Sequence, residues 1–410
     1  MKPLVLTRTP KYDREGGIRV VSPEDTLKRA MPLLKTAGLE DPRDISVKDN
    51  IGIPVYSISR PGAAEGTVSS HNGKGVTPEQ AKASAVMEAM ERYSAERRDY
   101  DEVVHGTYEQ AMETGFTVDP ADLILPFDKV HYYRSAEIAW YMGWEMFRGE
   151  PIWVPACAVF HPYVPDGDLQ LFRYNTNGLA SGNTLEEAIL HATFEVIERD
   201  AWSLAEDRQY AKADVVVDSD SVPGRMIESF REKGIEIHLK DITSDVGVTT
   251  IGAAADDIVT KDPEMLTIGV GTHLDPEIAA IRAITEVAQS RATHKEGAKV
   301  NAELVKTTRE MGYEKIKRIN RLWYSDLDRK VKLNDLEDES TDYVLDDIEV
   351  VLGKLVDAEF DKVITVNLTR PEIEIPVVRM IIPGMECYAM DPNRAGYRIN
   401  GMWPPVRNVQ

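Results

Sequence analysis

Cysteine is almost missing from this sequence. The two present, Cys157 and Cys387, lie far apart in apolar runs. That excludes a disulfide framework and a structural zinc site. Nothing electropositive sits beside either in sequence, so both read as buried structural thiols. Long hydrophobic runs are also missing. No stretch approaches a membrane span, and the start, MKPLVLTRTPKYDREGG, lacks the apolar core of a signal peptide. A cytoplasmic protein without membrane contact is expected. Positive charge is in deficit: 48 Lys and Arg face 69 Asp and Glu, a net charge of −21 at pH 7. Cation–phosphate contacts supply most non-specific affinity for nucleic acid, so nucleic acid is an unsuitable partner. Anionic membranes are disfavoured for the same reason. Such a charge suits solubility, including in a salty or hot cytoplasm. The chain is 42% hydrophobic over 410 residues, enough for one large domain or two smaller ones with a sizeable core.

What is present is a pattern written three times. In the central copy, Thr184 can cap a helix, with Glu187 placed to complete a capping box. Ala188, His191, Glu195 and Glu198 then recur on one face. The same register gives Thr77, Ala81, Ser84, Glu88 and Glu91 in an earlier helix, and Asp275, Ala279, Arg282, Glu286 and Gln289 in a later one. A glutamate stands two residues after each cap: Glu79, Glu186 and Glu277. A glycine-rich run precedes each: Asn72 to Gly75, Gly178 to Gly182, and Gly269 to Gly271. One such helix could be a solvated acidic face. Three copies of a strand, glycine turn and helix point to polar faces converging on one site.

The rest of the chain reads as α+β. Ser22-Pro23-Glu24-Asp25 opens a helix that Gly38 ends. Strands are expected at Ile51–Ile58, Trp153–Phe160, Val215–Val217, Ile235–Leu239, Val248–Ala255, Leu266–Val270, Val363–Leu368 and Val377–Ile382. Helices are expected at Tyr108–Thr114 and Arg225–Glu232, and over most of Lys299–Leu355. The tail from Asp391 is irregular. No linker divides the chain, so residues 1–60 are expected to pack as an N-terminal segment on a single domain of residues 61–410.

Glu88, Glu91, Glu195, Glu198 and Glu286 are too many acids for a simple general acid/base pair. Stacked carboxylates repel, and a hard cation such as Mg2+, which prefers oxygen ligands and commonly travels with phosphates, relieves that repulsion. Glycine turns at helix starts can offer N–H groups and positive dipole ends to phosphates. Lys74, Arg92, Arg199 and Arg282 add positive charge. The run around Lys74 is not a Walker A loop, since Val68 and Gly75 stand where glycine and a hydroxyl residue are required. A nucleotide with Mg2+ is therefore expected in a site of another kind.

S-x-x-N-G-K-G-x-T-x-x-x-A-x-x-S-A-x-x-E-x-x-E-R, N-G-L-A-S-G-N-T-L-E-E-A-I-x-x-A-x-x-E-x-I-E-R-D-A and R-A-x-x-E-x-x-Q-S-R occur in this order. With them the chain resembles the YcaO family from about residue 19 to Gly384. The resemblance implies ATP- and Mg2+-dependent activation of a peptide or protein backbone amide by phosphorylation of its oxygen. It places the Mg2+ acids on Glu88, Glu91, Glu195 and Glu198. Nucleotide contacts fall on Ser84, Asn183, Glu187, Arg199 and Arg282, with Lys74 beside them, and on Arg19 and Thr26 in the N-terminal part. From the residues alone, Ser84 could be a small packing residue and Arg282 with Glu286 a helix salt bridge. His191 reads as a wall residue.

Azoline-forming members tend to end in a PxPxP tail, whereas this chain ends WPPVRNVQ. In this it resembles the thioamide-forming branch, including archaeal members that thiolate a glycine in the alpha subunit of methyl-coenzyme M reductase. That resemblance implies a sulfide source, a possible TfuA-like partner and a homodimer. An azoline-forming cyclodehydratase and a non-catalytic accessory member are the alternatives.

Overall fold

The computed structural model describes residues 3–14, 17–129, 133–297 and 302–402. The tail WPPVRNVQ and Lys299 lie outside them.

The chain begins with a ribbon of β1 (Tyr12–Arg14) and β2 (Gly17–Arg19), followed by α1 (Pro23–Ala30). Ser22 caps α1 by accepting from the Asp25 N–H. Next come β3 (Arg43–Asp44), β4 (Val55–Ser59) and β5 (Ser70–Lys74), an antiparallel sheet in that order. β5 feeds α2 (Pro78–Ala95), where Thr77 and Gln80 close a capping box. β4 and β5 pair from Val55↔Lys74 to Ser59↔Ser70, so a boundary at residue 60 falls inside a sheet.

The middle of the chain gives β6 (Val104–Gly106), α3 (Tyr108–Thr114), β7 (Ile138–Glu145) and β8 (Glu150–Pro155). It continues with β9 (Leu179–Ser181) and α4 (Leu185–Arg208). β10 (Ala213–Val216), α5 (Val222–Arg231), β11 (Ile235–Asp241), β12 (Thr250–Asp257) and β13 (Ile268–Thr272) lead into α6 (Pro276–Glu296). After α7 (Ala302–Met311), α8 (Tyr313–Ile319) and α9 (Arg321–Tyr324) come β14 (Lys330–Lys332) and α10 (Val344–Asp357). β15 (Ile364–Asn367) and β16 (Val377–Ile381) close the described chain.

Two larger sheets carry the other copies of the repeat. One has the order β6-β7-β15-β16-β9, with β8 also on β7; the other has the order β13-β12-β11-β10-β14. In all three sheets the strand entering a repeat helix ends the row: β5, β9 and β13. Each such strand packs on its own helix, and each helix also packs on the next copy's strand: α2 on β9, α4 on β13 and α6 on β5. The three copies thus close a ring, with the acidic faces turned to its middle.

The glycines of the repeats serve this packing. A Cβ on Gly73 would stand 1.9 Å from the Ala85 N, one on Gly182 2.5 Å from the Ala188 N, and one on Gly271 2.2 Å from the Ala279 O. Only a bare backbone lets the strand lie this close to its helix. Gly73, Gly269 and Gly271 sit within strands and not in turns as their composition suggested.

Several elements differ from the sequence expectation: the first helix ends at Ala30 and not at Gly38, and β3, β6 and β14 were not expected. The apolar run Trp153–Phe160 is a strand only to Pro155 and then turns through a short 3-10 helix at Ala156–Ala158. β7, which pairs with β6, β8 and β15, was not expected at all.

Candidate functional site

Where the three helices meet, the chain encloses a cavity of about 400 Å3, within the size range of small-molecule sites. Every residue named above for Mg2+ or nucleotide lines it: Arg19, Thr26, Lys74, Ser84, Glu88, Glu91, Asn183, Glu187, Glu195, Glu198, Arg199 and Arg282. Glu286, Gln289, Arg92 and His191 line it as well.

The N-terminal residues arrive through the start of α4. Glu187 does not complete a capping box. Its carboxylate accepts from the Val20 N–H at 3.0 Å and from Asn183 Nδ2 at 3.1 Å, and it pairs with Arg19 Nη1 at 3.2 Å. Thr184 still caps α4 by accepting from the Glu187 N–H. The Thr26 hydroxyl lies 3.0 Å from Asn183 Oδ1. Arg19, Thr26, Asn183 and Glu187 therefore form one hydrogen-bonded corner.

Elsewhere in the cavity the acids are interleaved with cations. Arg92 lies 3.0 Å from Glu91 and 3.7 Å from Glu88. Arg199 lies 3.7 Å and Arg282 3.8 Å from Glu198. Lys74 Nζ donates to Glu286 at 3.0 Å. Glu286 of α6 is thus paired with a lysine of β5, and Arg282 reaches Glu198, so the within-helix salt bridge is not the arrangement found. Ser84 faces the cavity instead of packing in the core.

Burial dominates the electrostatics. It raises the pKa of Glu88 and Glu195, pushes Glu91 up to about 8 and pushes Glu198 up to about 7. Neighbouring carboxylates add to this for Glu88, Glu91 and Glu198, while Arg92 or Arg199 opposes it. Burial also acts on Glu286, but Lys74 and then Arg199 outweigh it and hold that carboxyl below its usual range. His191 is driven well below its ordinary value by burial and then by Arg19 and Arg282. It is neutral, with Nδ1 facing Arg19 Nη2 at 3.3 Å and Arg282 Nη1 at 3.4 Å. Nδ1 is therefore the acceptor and Nε2 carries the proton.

The donor set fits Mg2+: carboxylates on one cavity offering hard oxygens, Glu91 and Glu198 buried and Glu88 and Glu195 half-buried, all four with raised pKa values that cationic charge would lower. Among the described residues, the trio of possible ligand atoms gathered within 4.8 Å is a different one, Glu236, His238 and Asp256, and none of these lines the cavity. Asp256 there is already taken by Tyr313 and by Lys317 Nζ at 2.6 Å. In the cavity, arginines hold the spaces between the acids. Arg282 Nε is buried without a hydrogen-bond partner, as suits a wall meant to meet an anion.

The family model described as YcaO cyclodehydratase, ATP- and Mg2+-binding, matches residues 72–386. The chain belongs to the YcaO family. This YcaO protein is 47% identical over 385 residues to a protein of Methanothermobacter thermautotrophicus, covering 93% of this chain and 98% of that one. It is 28% identical over 389 residues to a protein encoded in the tfuA 3′ region of Rhizobium leguminosarum bv. trifolii, covering 90% and 88%. Among solved structures, YcaO from Methanopyrus kandleri bound with AMPPCP and Mg2+ superposes with a TM-score of 0.79 at 30% identity, covering 95% of this chain and 98% of that one. A heterocyclase in complex with substrate and cofactor has a TM-score of 0.81 at 23% identity, covering 94% and 54%; at that identity the likeness is one of fold. The chain is thus a single α+β YcaO domain of a family of ATP- and Mg2+-dependent amide-activating enzymes. Among the described residues no helix is long and apolar enough to cross a membrane.

Sequence reasoning missed Ser181, Gln80 and Tyr12 as cavity residues. Ser181 carried a signal, because it lies inside the glycine-rich run before the central cap. Tyr12 carried none.

Proposed function

We propose that this YcaO protein is an ATP-dependent thioamide synthetase, acting on a protein backbone amide with sulfide as nucleophile. The observation that carries the reading is the convergence of Glu88, Glu91, Glu195 and Glu198 with Lys74, Arg199 and Arg282 around one cavity. The proposed substrate is a glycine of the methyl-coenzyme M reductase alpha subunit, whose backbone amide becomes the thioamide. Near full-length similarity to chains from two methanogenic archaea supports it. The tfuA-region relative supports a TfuA-like partner. A homodimer in the cytoplasm completes the proposal.

In this reading the four glutamates hold Mg2+, which when bound neutralises charge on the phosphates. Arg19, Lys74, Arg199 and Arg282 draw the triphosphate into the cavity and orient it. Thr26, Ser84 and Asn183 supply hydrogen-bonding groups, and Glu187 holds Arg19 and Asn183 in place. Neutral His191 accepts from Arg19 and Arg282 without adding a proton that could be lost. The balance is one amide, one hydrosulfide and one ATP giving one thioamide, ADP and hydrogen phosphate. Sulfur bonds to the carbonyl carbon, the amide oxygen takes the γ-phosphoryl group, and the carbon–oxygen bond then breaks with its electron pair leaving on phosphate. The sulfur proton ends on that phosphate.

The family model's description as a cyclodehydratase favours the second reading, azoline formation. Incubation with ATP, Mg2+, sulfide and a peptide carrying the candidate glycine, read by mass, separates them. Sulfur in place of oxygen supports the proposal. Loss of water from a Cys-, Ser- or Thr-containing peptide supports the second. An unmodified peptide with nucleotide bound marks an accessory protein.

A further inference from the structure

The segment 175–179 is a wall between two cavities. Thr176 and Leu179 face the large one, and Asn175 and Asn177 face a second of about 70 Å3. Two arginines line this second cavity, Arg379 of β16 and Arg394, which are only 4% and 6% exposed.

Both are bound to neutral oxygens. Arg379 donates from Nη1 to the Asn175 carbonyl at 3.0 Å and from Nη2 to Asn175 Oδ1 at 3.1 Å, and its Nε has no partner. Arg394 donates from Nε to the Ile124 carbonyl at 2.9 Å and from Nη2 to the Leu123 carbonyl at 2.6 Å, and stacks 4.0 Å over Phe172. Neither forms an ion pair among the described residues. Asp122 also lines the cavity, with its carboxylate 3.9 Å from Lys362 Nζ. Burial lowers the Arg379 pKa to about 10, with Glu195 and Glu91 across the wall only partly opposing it. Asn177 Oδ1 is buried and unpartnered, and a flip of that amide would turn its NH2 to the same place.

Buried cations left without an anion are costly, and guanidinium groups match oxyanions in geometry as well as charge. A single water needs roughly 10–15 Å3, so the cavity takes a group of about five heavy atoms. That is too small for a nucleotide and suits a phosphate or a carboxylate.

We propose that Arg379 and Arg394 form a subsite for a small oxyanion, filled during turnover by the inorganic phosphate that leaves the activated amide. The inference rests on the ATP-dependent reading above, and it adds a place for the product outside the nucleotide cavity.

ATP turnover with Mg2+ is measured against added phosphate and, separately, added ADP. Arg379→Gln should weaken phosphate inhibition by about tenfold or more and leave ADP inhibition within about twofold. Arg379→Lys, which keeps the charge, should recover part of it. Equal phosphate inhibition of wild type and Arg379→Gln overturns the subsite. So does a parallel loss of phosphate and ADP inhibition, which marks a structural role. Calorimetric titration of the full chain without nucleotide reads the same site without turnover. Phosphate binding that Arg379→Gln removes supports the proposal, and acetate binding in its place overturns the phosphate assignment in favour of a carboxylate. Heat from neither overturns the subsite. If the wild type turns over no ATP, the functional reading fails while the calorimetry still decides the subsite. If Arg379→Gln does not fold, Asn177→Leu, which fills the cavity from its wall, takes its place.

Discussion

The Glu91 carboxylate of α2 accepts the backbone N–H of Ser181 in β9 at 3.1 Å. Glu198 of α4 repeats the contact one copy on, accepting the Thr272 N–H of β13 at 3.1 Å. The last acid in each of these rows therefore binds the next copy's end strand, whose outward N–H would otherwise lack a partner. These glutamates join the ring and line the cavity at once. Glu91→Ala should leave the Ser181 N–H unsatisfied and cost about 1–3 kcal/mol of stability, whereas Glu91→Gln, which can still accept, should cost much less. Denaturant unfolding of the two variants checks this, and equal losses would count against the strand contact.

Glu195→Gln and Glu198→Gln each remove a carboxylate charge from the proposed Mg2+ set while keeping side-chain shape. Both should lower ATP turnover by roughly 100-fold or more while the fold survives. Turnover and circular dichroism on the same samples test it. Wild-type ATP hydrolysis by both variants would falsify the metal-site assignment.

Protons and Mg2+ should compete for the cavity. With no ion bound, Glu91 and Glu198 are raised to about 8 and about 7 by burial. A carboxyl with a raised folded pKa contributes stability that is fully present below its unfolded value, and loses it as pH rises through the folded value. The ion-free protein should therefore weaken between about pH 4.3 and about pH 8 from these groups. Mg2+ needs the ionised forms and should release protons on binding. The rise in melting temperature on adding Mg2+ should be larger at pH 8.5 than at pH 6. A shift independent of pH would contradict this coupling.

Gly73 and Gly271 stand against the backbones of α2 and α6. An alanine at either must push strand and helix apart, at a cost of about 3 kcal/mol or more. The control is Gly149→Ala, where no atom lies within 4 Å but φ is +66°, so only the milder backbone strain applies, about 1 kcal/mol. Denaturation midpoints should rank the control as the more stable.

The site was far more legible in the sequence than the frame around it. Helical spacing alone stacks Glu88 over Glu91 and Glu195 over Glu198, and a shared distance from each cap shows that the copies are related. Spacing does not reveal what lies between the acids. The arginines that separate them come from a position next to an acid, Arg92 and Arg199, or from another helix, Arg282. The glycines were legible as turns at the helix starts but not as strand residues, because composition does not tell a turn from a strand pressed on a helix. β7 went unread because WYMGWE mixes buried and half-buried positions without alternation. The role of Glu187 depended on β2, which returns from far away in the chain.

The most direct test is a crystal structure with Mg2+ and a non-hydrolysable ATP analogue. The account predicts Mg2+ about 2.0–2.1 Å from carboxylate oxygens of Glu88, Glu91, Glu195 and Glu198, with the triphosphate against Arg19, Lys74, Arg199 and Arg282. Nucleotide bound elsewhere, or those four glutamates still paired only with protein groups while Mg2+ sits apart from them, would contradict it.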